Sequence, residues 1–338
     1  MAVRFGVIGL GNWGAMHVAA LGGHARAEVL AVCDANGDRA RETARGEGVP
    51  KHYDRVEDLV ADVDVDAVSI ATPDFAHTDV AVAAIEAGKH VLIEKPLATT
   101  LADCEKIIEA AARSDRKFMV DFHNRWSPMF IQARQAIDDG QVGEPRLVNI
   151  RLNDQISVPT DLLPWAGRST VTWFVGSHAV DTVRWLFGQE VERVYAVKRS
   201  GVLSSTGIDT ADFYESTLEL AGGGVAVVEN CWILPNSGPS LFDLQCELIG
   251  TKGAIYIDAS HHGALATYTD QKGTYPDLFV CPRVRGQVQG FALESIRSFV
   301  DCIVEDRQPM CTLEDGLAVS KVILAMERSA DEGRPVEV

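Results

Sequence analysis

The stretch RFGVIGLGNWG, residues 4–14, decides the fold. It joins a short, mostly apolar run, which is typical of a buried strand, to Gly9, Gly11 and Gly14 in the spacing GxGxxG. The spacing alone is weak evidence, but here it follows a predicted strand and opens a predicted helix. In that context the first glycine allows a tight turn, and the second lets the backbone approach a pyrophosphate bound by the free N–H groups of the helix N-terminus. The stretch therefore predicts a dinucleotide-binding βαβ unit.

Short apolar runs continue beyond this stretch and alternate with helical patterns such as residues 75–87 and 101–113. Their apolar character is continuous rather than alternating, which favours parallel strands buried on both faces. Right-handed crossovers between such strands give a doubly wound α/β domain of the Rossmann type, which we place at residues 1–123. The predicted strands are residues 4–8, 29–33, 67–71, 91–93 and 118–122.

The pattern changes after Ser127 and Pro128, where strand-like runs are separated by hairpin turns such as residues 222–224 and 250–253. We assign residues 124–338 to a second, α+β domain built on a mostly antiparallel sheet. Its predicted strands are residues 147–152, 191–197, 213–220, 225–232, 241–249 and 254–257. Its predicted helices are residues 128–139, 171–187, 291–305 and 313–331, and the last of these could pack back on the first domain.

Composition favours a small-molecule partner. The chain has 338 residues and a formal net charge of −17, which would repel nucleic acid and anionic membranes. Its seven scattered cysteines have no spacing typical of a disulfide framework or a zinc site, so no metal is expected. We find no signal peptide and no apolar run near the ~18 residues of a membrane span. These observations predict a soluble cytoplasmic protein.

Asp34 ends the second predicted strand, twenty residues beyond Gly14. A carboxylate at this position accepts the ribose hydroxyls of NAD and repels the 2′-phosphate of NADP, so NAD is favoured. Arg39 keeps NADP possible, because an arginine nearby could reach a phosphate. Asn12 and Trp13, inside the glycine motif, are further predicted cofactor contacts.

Two later strand ends are expected at the same edge of the sheet, where the ligands of open α/β sheets bind. Thr72 and Pro73 end one strand, and His77 follows on the next helix, either as a cofactor contact or as an ordinary surface or cap residue. Glu94 and Lys95 end the next strand, and both are predicted cofactor contacts. Lys95 is either a solvated loop residue or a cation that stabilises developing charge on a substrate oxygen beside the nicotinamide.

The helical segment 171–187 contains a candidate proton acceptor. His178 and Asp181 are three residues apart and share one face of the helix, so the carboxylate could orient or tune the imidazole. A histidine is suited to accept a hydroxyl proton while hydride leaves the same carbon. The alternative is a structural histidine at the domain interface.

Together these motifs resemble the glucose–fructose oxidoreductase and inositol dehydrogenase family (Gfo/Idh/MocA). The resemblance covers nearly the whole chain and rests on GLGNWG (9–14), the strand-end Asp34, ATPDFAH (71–77), EKP (94–96), and His178 with Asp181 before WLFG (185–188). It implies an open-faced sheet in the second domain, NAD(P)-dependent oxidation or reduction of a sugar or cyclitol, and homodimers or homotetramers. It also maps Lys95 and His178 onto the family's catalytic lysine and histidine.

The resemblance suggests further site residues and has one departure. Asn124 and Arg125 resemble a polar pair near cofactor and substrate, and the segment from Trp165 to Arg168 resembles a loop that reaches the cofactor in some members. Dehydrogenases of the family often carry an aspartate four residues before the histidine, where this chain has Phe174. Either Asp181 or an acid from residues 153–161 replaces it, or Lys95 and His178 suffice.

Two other functions remain open from the sequence. A catalytically weak NAD(P)-binding sensor would account for Phe174, although it would not need both Lys95 and His178. A glycoside-cleaving enzyme that uses NAD for a transient oxidation would share the cofactor site.

Overall fold

The computed structural model describes residues 2–260, 265–271 and 273–338. The strands are β1 (Val3–Ile8), β2 (Ala27–Cys33), β3 (Lys51–Tyr53), β4 (Ala67–Ile70), β5 (His90–Glu94), β6 (Phe118–Asp121), β7 (Pro145–Asp154), β8 (Val191–Arg199), β9 (Phe213–Leu220), β10 (Val225–Cys231), β11 (Phe242–Gly250), β12 (Ala254–Asp258), β13 (Thr267–Tyr268), β14 (Gly273–Thr274), β15 (Arg283–Val284), β16 (Gln287–Val288) and β17 (Val336–Glu337).

The α-helices are α1 (Asn12–Gly22), α2 (Gly37–Glu47), α3 (Val56–Val60), α4 (His77–Glu86), α5 (Leu101–Ala111), α6 (Pro128–Asp138), α7 (Ser177–Phe187), α8 (Val202–Ser205), α9 (Phe291–Val304) and α10 (Leu313–Glu332). Short 3₁₀ turns cover Asp74–Ala76, His123–Trp126 and Ala166–Arg168, and π-helical turns cover Val158–Leu162 and Thr172–Gly176.

The first unit contains a six-stranded parallel sheet in the order β3-β2-β1-β4-β5-β6. The chain moves outward from β1 in one direction and then from β4 in the other. Right-handed crossovers therefore place α1 and α2 on one face and α4 and α5 on the opposite face. The predicted doubly wound parallel sheet is confirmed. The edge strand β3 was not predicted from the sequence, because its three residues contain no apolar run.

The first unit is formed by two separate parts of the chain, residues 1–123 and 283–320. Helix α9 from the later part packs against α1 and against β1, β5 and β6. Here the structure differs from the predicted boundaries, which placed all of residues 124–338 in the second domain. Helical periodicity shows where α9 lies in the sequence, but not which sheet its apolar face covers. Helix α10 begins in the first unit and ends in the second, because the division falls after Ser320.

The second unit comprises residues 124–282 and 321–338. Its seven-stranded sheet has the order β12-β11-β7-β10-β9-β8-β17. All neighbouring strands are antiparallel except β10 and β7, which run parallel, so the predicted mostly antiparallel α+β unit is confirmed. Helix α7 packs on β7 and β10. Every second residue of β9 and β10 is buried, so one face of these two strands belongs to the core of the unit. The small hairpin β13–β14 also lies in this unit, whereas β15–β16 belongs to the first.

No helix within the described ranges is both long enough and apolar enough to span a membrane.

Candidate active site

The glycine turn between β1 and α1 has the geometry that its sequence predicts. Gly9 has a φ of +87°, and a Cβ there would lie 2.7 Å from the backbone of Ala71 at the end of β4. A Cβ on Gly14 would lie 1.9 Å from the carbonyl oxygen of Gly9, so this position also requires glycine. A Cβ on Gly11 would meet no described atom within 4 Å, and no described side chain caps the helix there. The turn therefore leaves open space and free N–H groups at the start of α1, as a bound pyrophosphate requires.

Asp34 lies beside this turn and is fixed by three hydrogen bonds. Its Oδ2 accepts from the backbone N–H of Leu10 at 2.9 Å, and its Oδ1 accepts from that of Asn36 at 2.9 Å. The half-exposed Arg39 donates to Oδ2 from Nη1 at 3.2 Å. The carboxylate is thus held beside the glycine turn, and Arg39 is its ion-pair partner.

His77 connects the turns that follow β4 and β5. It is fully buried, with Nδ1 2.7 Å from the carbonyl oxygen of Pro96 and Nε2 3.0 Å from that of Thr72. These contacts favour a role in holding the two turns together over direct contact with a ligand. The hydroxyl of Thr72 is buried and has no hydrogen-bond partner among the described residues, which suits a group that a bound cofactor would contact.

Glu94 is the centre of a buried polar network at the end of β5. Its Oε1 accepts hydrogen bonds from the indole Nε1 of Trp13 at 2.6 Å and from Nε2 of His17 at 2.9 Å. The backbone N–H of Lys95 lies 3.2 Å from Oε2, and Nδ1 of His17 contacts the hydroxyl of Ser69 at 2.6 Å. Burial opposes ionisation of Glu94, but the hydrogen bond from His17 and the nearby positive charges hold its pKa well below the usual range.

Asp121 and His123 extend this network from the end of β6. Burial, followed by the negative charge of Glu94, raises the pKa of Asp121 well above its usual value. Burial lowers the pKa of His123 to about 4, and its ring packs 5.6 Å from that of Trp13. His17, Glu94 and Asp121 offer ligand-type atoms within 4.8 Å of one another. Because Oε1 of Glu94 already accepts two direct hydrogen bonds, we interpret the group as a hydrogen-bonded network rather than a metal site.

Lys95 is half-buried and follows this network directly, at the carboxyl end of β5. Its charge acts on both carboxyl groups, since it lowers the pKa of Glu94 and opposes the rise in that of Asp121. The Lys95–Pro96 peptide bond is cis. Trp13 and Glu94 were predicted as cofactor contacts, and in the structure the indole of Trp13 donates a hydrogen bond to Glu94.

In the second unit, His178 lies in the first turn of α7 and is buried. The hydroxyl of Thr182 donates to the carbonyl oxygen of His178 at 2.8 Å, and Nδ2 of Asn124 lies 3.5 Å from that hydroxyl. Asp181, one turn later, accepts hydrogen bonds from Arg125 Nε at 3.0 Å and Nη2 at 2.6 Å. Both members of this pair are buried, so Arg125 ties the segment before α6 to α7.

Phe174 precedes His178 by four residues, in the π-helical turn that leads into α7. Its ring contacts Trp165 at a centroid distance of 6.0 Å and Trp232 at 5.9 Å. Trp165 precedes the turn that contains the exposed Arg168. An aromatic cluster thus occupies the position of the expected aspartate, while Glu327 accepts hydrogen bonds from the hydroxyls of Thr170 and Thr172 at the start of this turn.

Comparison with known proteins identifies the family. The model GFO_IDH_MocA, described as an oxidoreductase family with an NAD-binding Rossmann fold, matches residues 3–122, and a GFO/IDH/MocA C-terminal domain model matches residues 130–256. The chain belongs to the Gfo/Idh/MocA family. It is 34% identical to inositol 2-dehydrogenase 1 of Saccharopolyspora erythraea over 100% of this chain and 97% of that protein.

Two solved structures share the fold of this Gfo/Idh/MocA protein. GenD2 from gentamicin A biosynthesis, in complex with NAD, has a TM-score of 0.88 and 25% identity, covering 100% of this chain and 96% of that chain. Myo-inositol 2-dehydrogenase from Lactobacillus plantarum shares the fold, with a TM-score of 0.87, 20% identity and full coverage of both chains. The protein is an NAD-dependent oxidoreductase acting on a CH–OH group, and the sensor and glycoside-cleaving alternatives are not favoured.

The residues of the first unit fit NAD. Gly9, Gly11 and the start of α1 would hold the pyrophosphate, Asp34 would accept the ribose hydroxyls, and the unsatisfied hydroxyl of Thr72 lies at the next strand end. His17 and Asp121 were not predicted from the sequence. His17 could have been found from its spacing, since it lies four residues after Trp13 and therefore on the same face of α1.

Proposed function

We propose that this Gfo/Idh/MocA enzyme oxidises a ring hydroxyl of a cyclitol or sugar, with Lys95 and His178 as its catalytic residues. The observation that carries the proposal is Lys95, half-buried at the carboxyl end of β5 beside the charged network of Glu94. The substrate class is supported by the full-length similarity to inositol 2-dehydrogenase 1 of Saccharopolyspora erythraea.

In the proposed reaction a CH–OH group becomes a carbonyl. NAD, when bound, would supply the acceptor for the hydride that leaves this carbon. Lys95 donates a hydrogen bond to the reacting oxygen and stabilises the negative charge that develops there. His178 accepts the proton of the hydroxyl, so that one hydride and one proton leave the substrate. Asp181, paired with Arg125, holds the face of α7 on which His178 lies.

We also propose that the enzyme prefers NAD to NADP. The support is Asp34, whose carboxylate is fixed beside the glycine turn and would repel a 2′-phosphate. Asn12, Pro73 and Arg168 remain proposed cofactor contacts. A cytoplasmic location remains a further proposal, supported by seven cysteines that are all free and all within the described residues.

The test is net NADH formation with a panel that includes myo-inositol, scyllo-inositol and glucose. On the substrate that turns over, we expect Lys95→Met to lower kcat by roughly 10²- to 10³-fold, the effect of losing one well-placed electrostatic donor. We expect His178→Ala to lower it by about 10²- to 10⁴-fold, the range for general acid–base catalysis. The double variant should lose less than the product of the two, because both residues act on one step.

Lys106→Met is the matched control, because Lys106 is an exposed lysine whose ammonium pairs with Asp103. It should retain the parent rate. NAD affinity, measured by fluorescence titration, should change little in Lys95→Met. A Lys95→Met enzyme with the parent rate would show that Lys95 is a solvated loop residue and would exclude the mechanism.

A further inference from the structure

Asp121 and Glu94 form a carboxyl pair that the proposed reaction does not use. They are register partners at the ends of the neighbouring parallel strands β6 and β5. Register partners of this kind project to the same face of a sheet. Asp121 is 0% exposed and Glu94 is 5% exposed, so both carboxyl groups are shielded from bulk water.

The donors around the pair are unequally distributed. Glu94 accepts hydrogen bonds from Trp13, His17 and the backbone of Lys95. Neither oxygen of Asp121 receives a hydrogen bond from the described part of the chain. The hydroxyl of Ser295, on α9, lies close enough to Asp121 to lower its pKa. In the structure, however, this hydroxyl donates its proton to the carbonyl oxygen of Ala292 at 3.0 Å.

An ionised Asp121 would therefore be a buried carboxylate without a donor, next to a second carboxylate. Burying an unpaired charge is costly, and two adjacent carboxylates share a proton rather than both ionise. We propose that Asp121 holds a proton and donates it to Glu94, so that the pair carries one negative charge beside Lys95. Burial and the charge of Glu94 raise the pKa of Asp121, in agreement with this assignment.

The other groups that face the pair are few. They are His17 from α1, Lys95 after β5, His123 after β6 and the hydroxyl of Ser295 from α9. Because the pKa of His123 is lowered to about 4, this imidazole is neutral near pH 7. The ammonium group of Lys95 is a neighbouring positive charge that acts on both carboxyl groups of the pair.

The consequence for catalysis rests on the proposed role of Lys95. One negative charge balances the ammonium group. A second negative charge, on Asp121, would attract the ammonium toward the pair and away from the reacting oxygen. Asp121 is thus a positioning residue that acts through Glu94 and Lys95, and its proton keeps Lys95 available for the substrate.

The first experiment measures the proton directly and does not require activity. In protein labelled with ¹³C-aspartate, infrared spectroscopy at pH 7 should show the carbonyl stretch of a protonated aspartic acid. Asp121→Asn should remove this band. Asp62→Asn should leave it, because the hydrogen bonds from Lys51 and Tyr53 overcome burial and lower the pKa of Asp62 to about 2. An absent band, a band that survives Asp121→Asn, or a stoichiometric metal ion lost in that variant would overturn the proposal.

The second experiment uses stability against pH. The folded-state pKa of Asp121 is raised above its unfolded value, so its contribution is fully present below the unfolded pKa and is lost as pH rises toward the folded pKa. The Tm of the parent protein should therefore fall relative to that of Asp121→Asn between pH 5 and pH 8. A constant difference across this range would contradict the assignment.

The third experiment compares the kcat for hydride transfer at pH 7 between the parent enzyme and variants of Glu94 and Asp121. Glu94→Gln removes the charge and should lower kcat by at least tenfold with little change in NAD affinity. Asp121→Ala should also lower kcat about tenfold, whereas Asp121→Asn supplies an N–H donor and should restore kcat to within about threefold of the parent. Equal losses in Glu94→Gln and Asp121→Asn would overturn the assigned proton position. If the parent enzyme oxidises none of the substrates, the proposed function fails. The infrared and Tm results still show whether Asp121 is protonated.

Discussion

At the scale of single residues, Asp34 is the clearest determinant of cofactor choice. It is nearly buried and held by the backbone N–H groups of Leu10 and Asn36. Its carboxylate is also the partner of Arg39, so removal of the carboxylate frees a guanidinium group that could bind a phosphate.

We therefore expect Asp34→Ser to weaken NAD binding by about 10- to 100-fold, since a hydrogen bond to a charged group contributes about 1.5–3 kcal/mol. The same variant should bind NADP more tightly than the parent does, because the charge repulsion is gone. Fluorescence titration of both cofactors measures this, with Asp38→Ser, an exposed acid on α2, as the control. Equal affinities in the parent enzyme would contradict the prediction.

The sequence predicts cofactor-site and active-site residues only where a strand ends in a polar side chain. Asp34, Thr72 and Lys95 interrupt apolar runs, so their places at the sheet edge follow from the pattern alone. The pairing of Asp121 with Glu94 could not be predicted this way. Its surroundings depend on β5, α1 and α9, which are distant in sequence, and no local pattern encodes the pairing.

At the scale of elements, a buried ion pair holds the first turns of α7 to the segment before α6. Arg125 binds both oxygens of Asp181, and both side chains are almost completely buried. The sequence places His178 and Asp181 on one helix face, whereas the family resemblance places Arg125 near the cofactor and the substrate. The pairing of Arg125 with Asp181 favours a structural role for Arg125.

Arg125→Met should lower the free energy of unfolding by about 3–5 kcal/mol, because it leaves Asp181 buried without its partner. The double variant Arg125→Met/Asp181→Leu should recover most of this loss, since neither charge then remains. Urea unfolding measures both effects. Arg134→Met, which breaks a more exposed pair with Asp138, should cost less than about 1 kcal/mol. A double variant as unstable as the single one would show that the pair is not the cause.

At the scale of the whole molecule, the second sheet has one face that α7 covers and another that is partly exposed. The second face carries Val225, Val227 and Thr217, together with Glu215 and Glu229, which lie opposite each other on β9 and β10. It is therefore mixed in character rather than simply apolar. Exposed apolar residues grouped on one face can mark a protein–protein interface, and we propose that a second copy of the chain covers this face.

Sedimentation should accordingly show a dimer or tetramer at micromolar concentration. Val227→Asp should shift the distribution toward the monomer, because it places a charge in the proposed contact. Val63→Asp is the control, since Val63 is 87% exposed in the first unit. A stable monomer of the parent protein at micromolar concentration would exclude the proposal.

Because the first unit is formed by two separate parts of the chain, it cannot be completed early in synthesis. Strands β1, β5 and β6 leave the ribosome early, but α9, which packs on them, follows only after residues 124–282 have been translated. Domains usually fold as units while the chain is being made. Here the nascent sheet must expose part of its apolar surface throughout the synthesis of the second unit. A nascent chain released before residue 320 is therefore expected to be a preferred substrate for chaperones that bind exposed apolar segments.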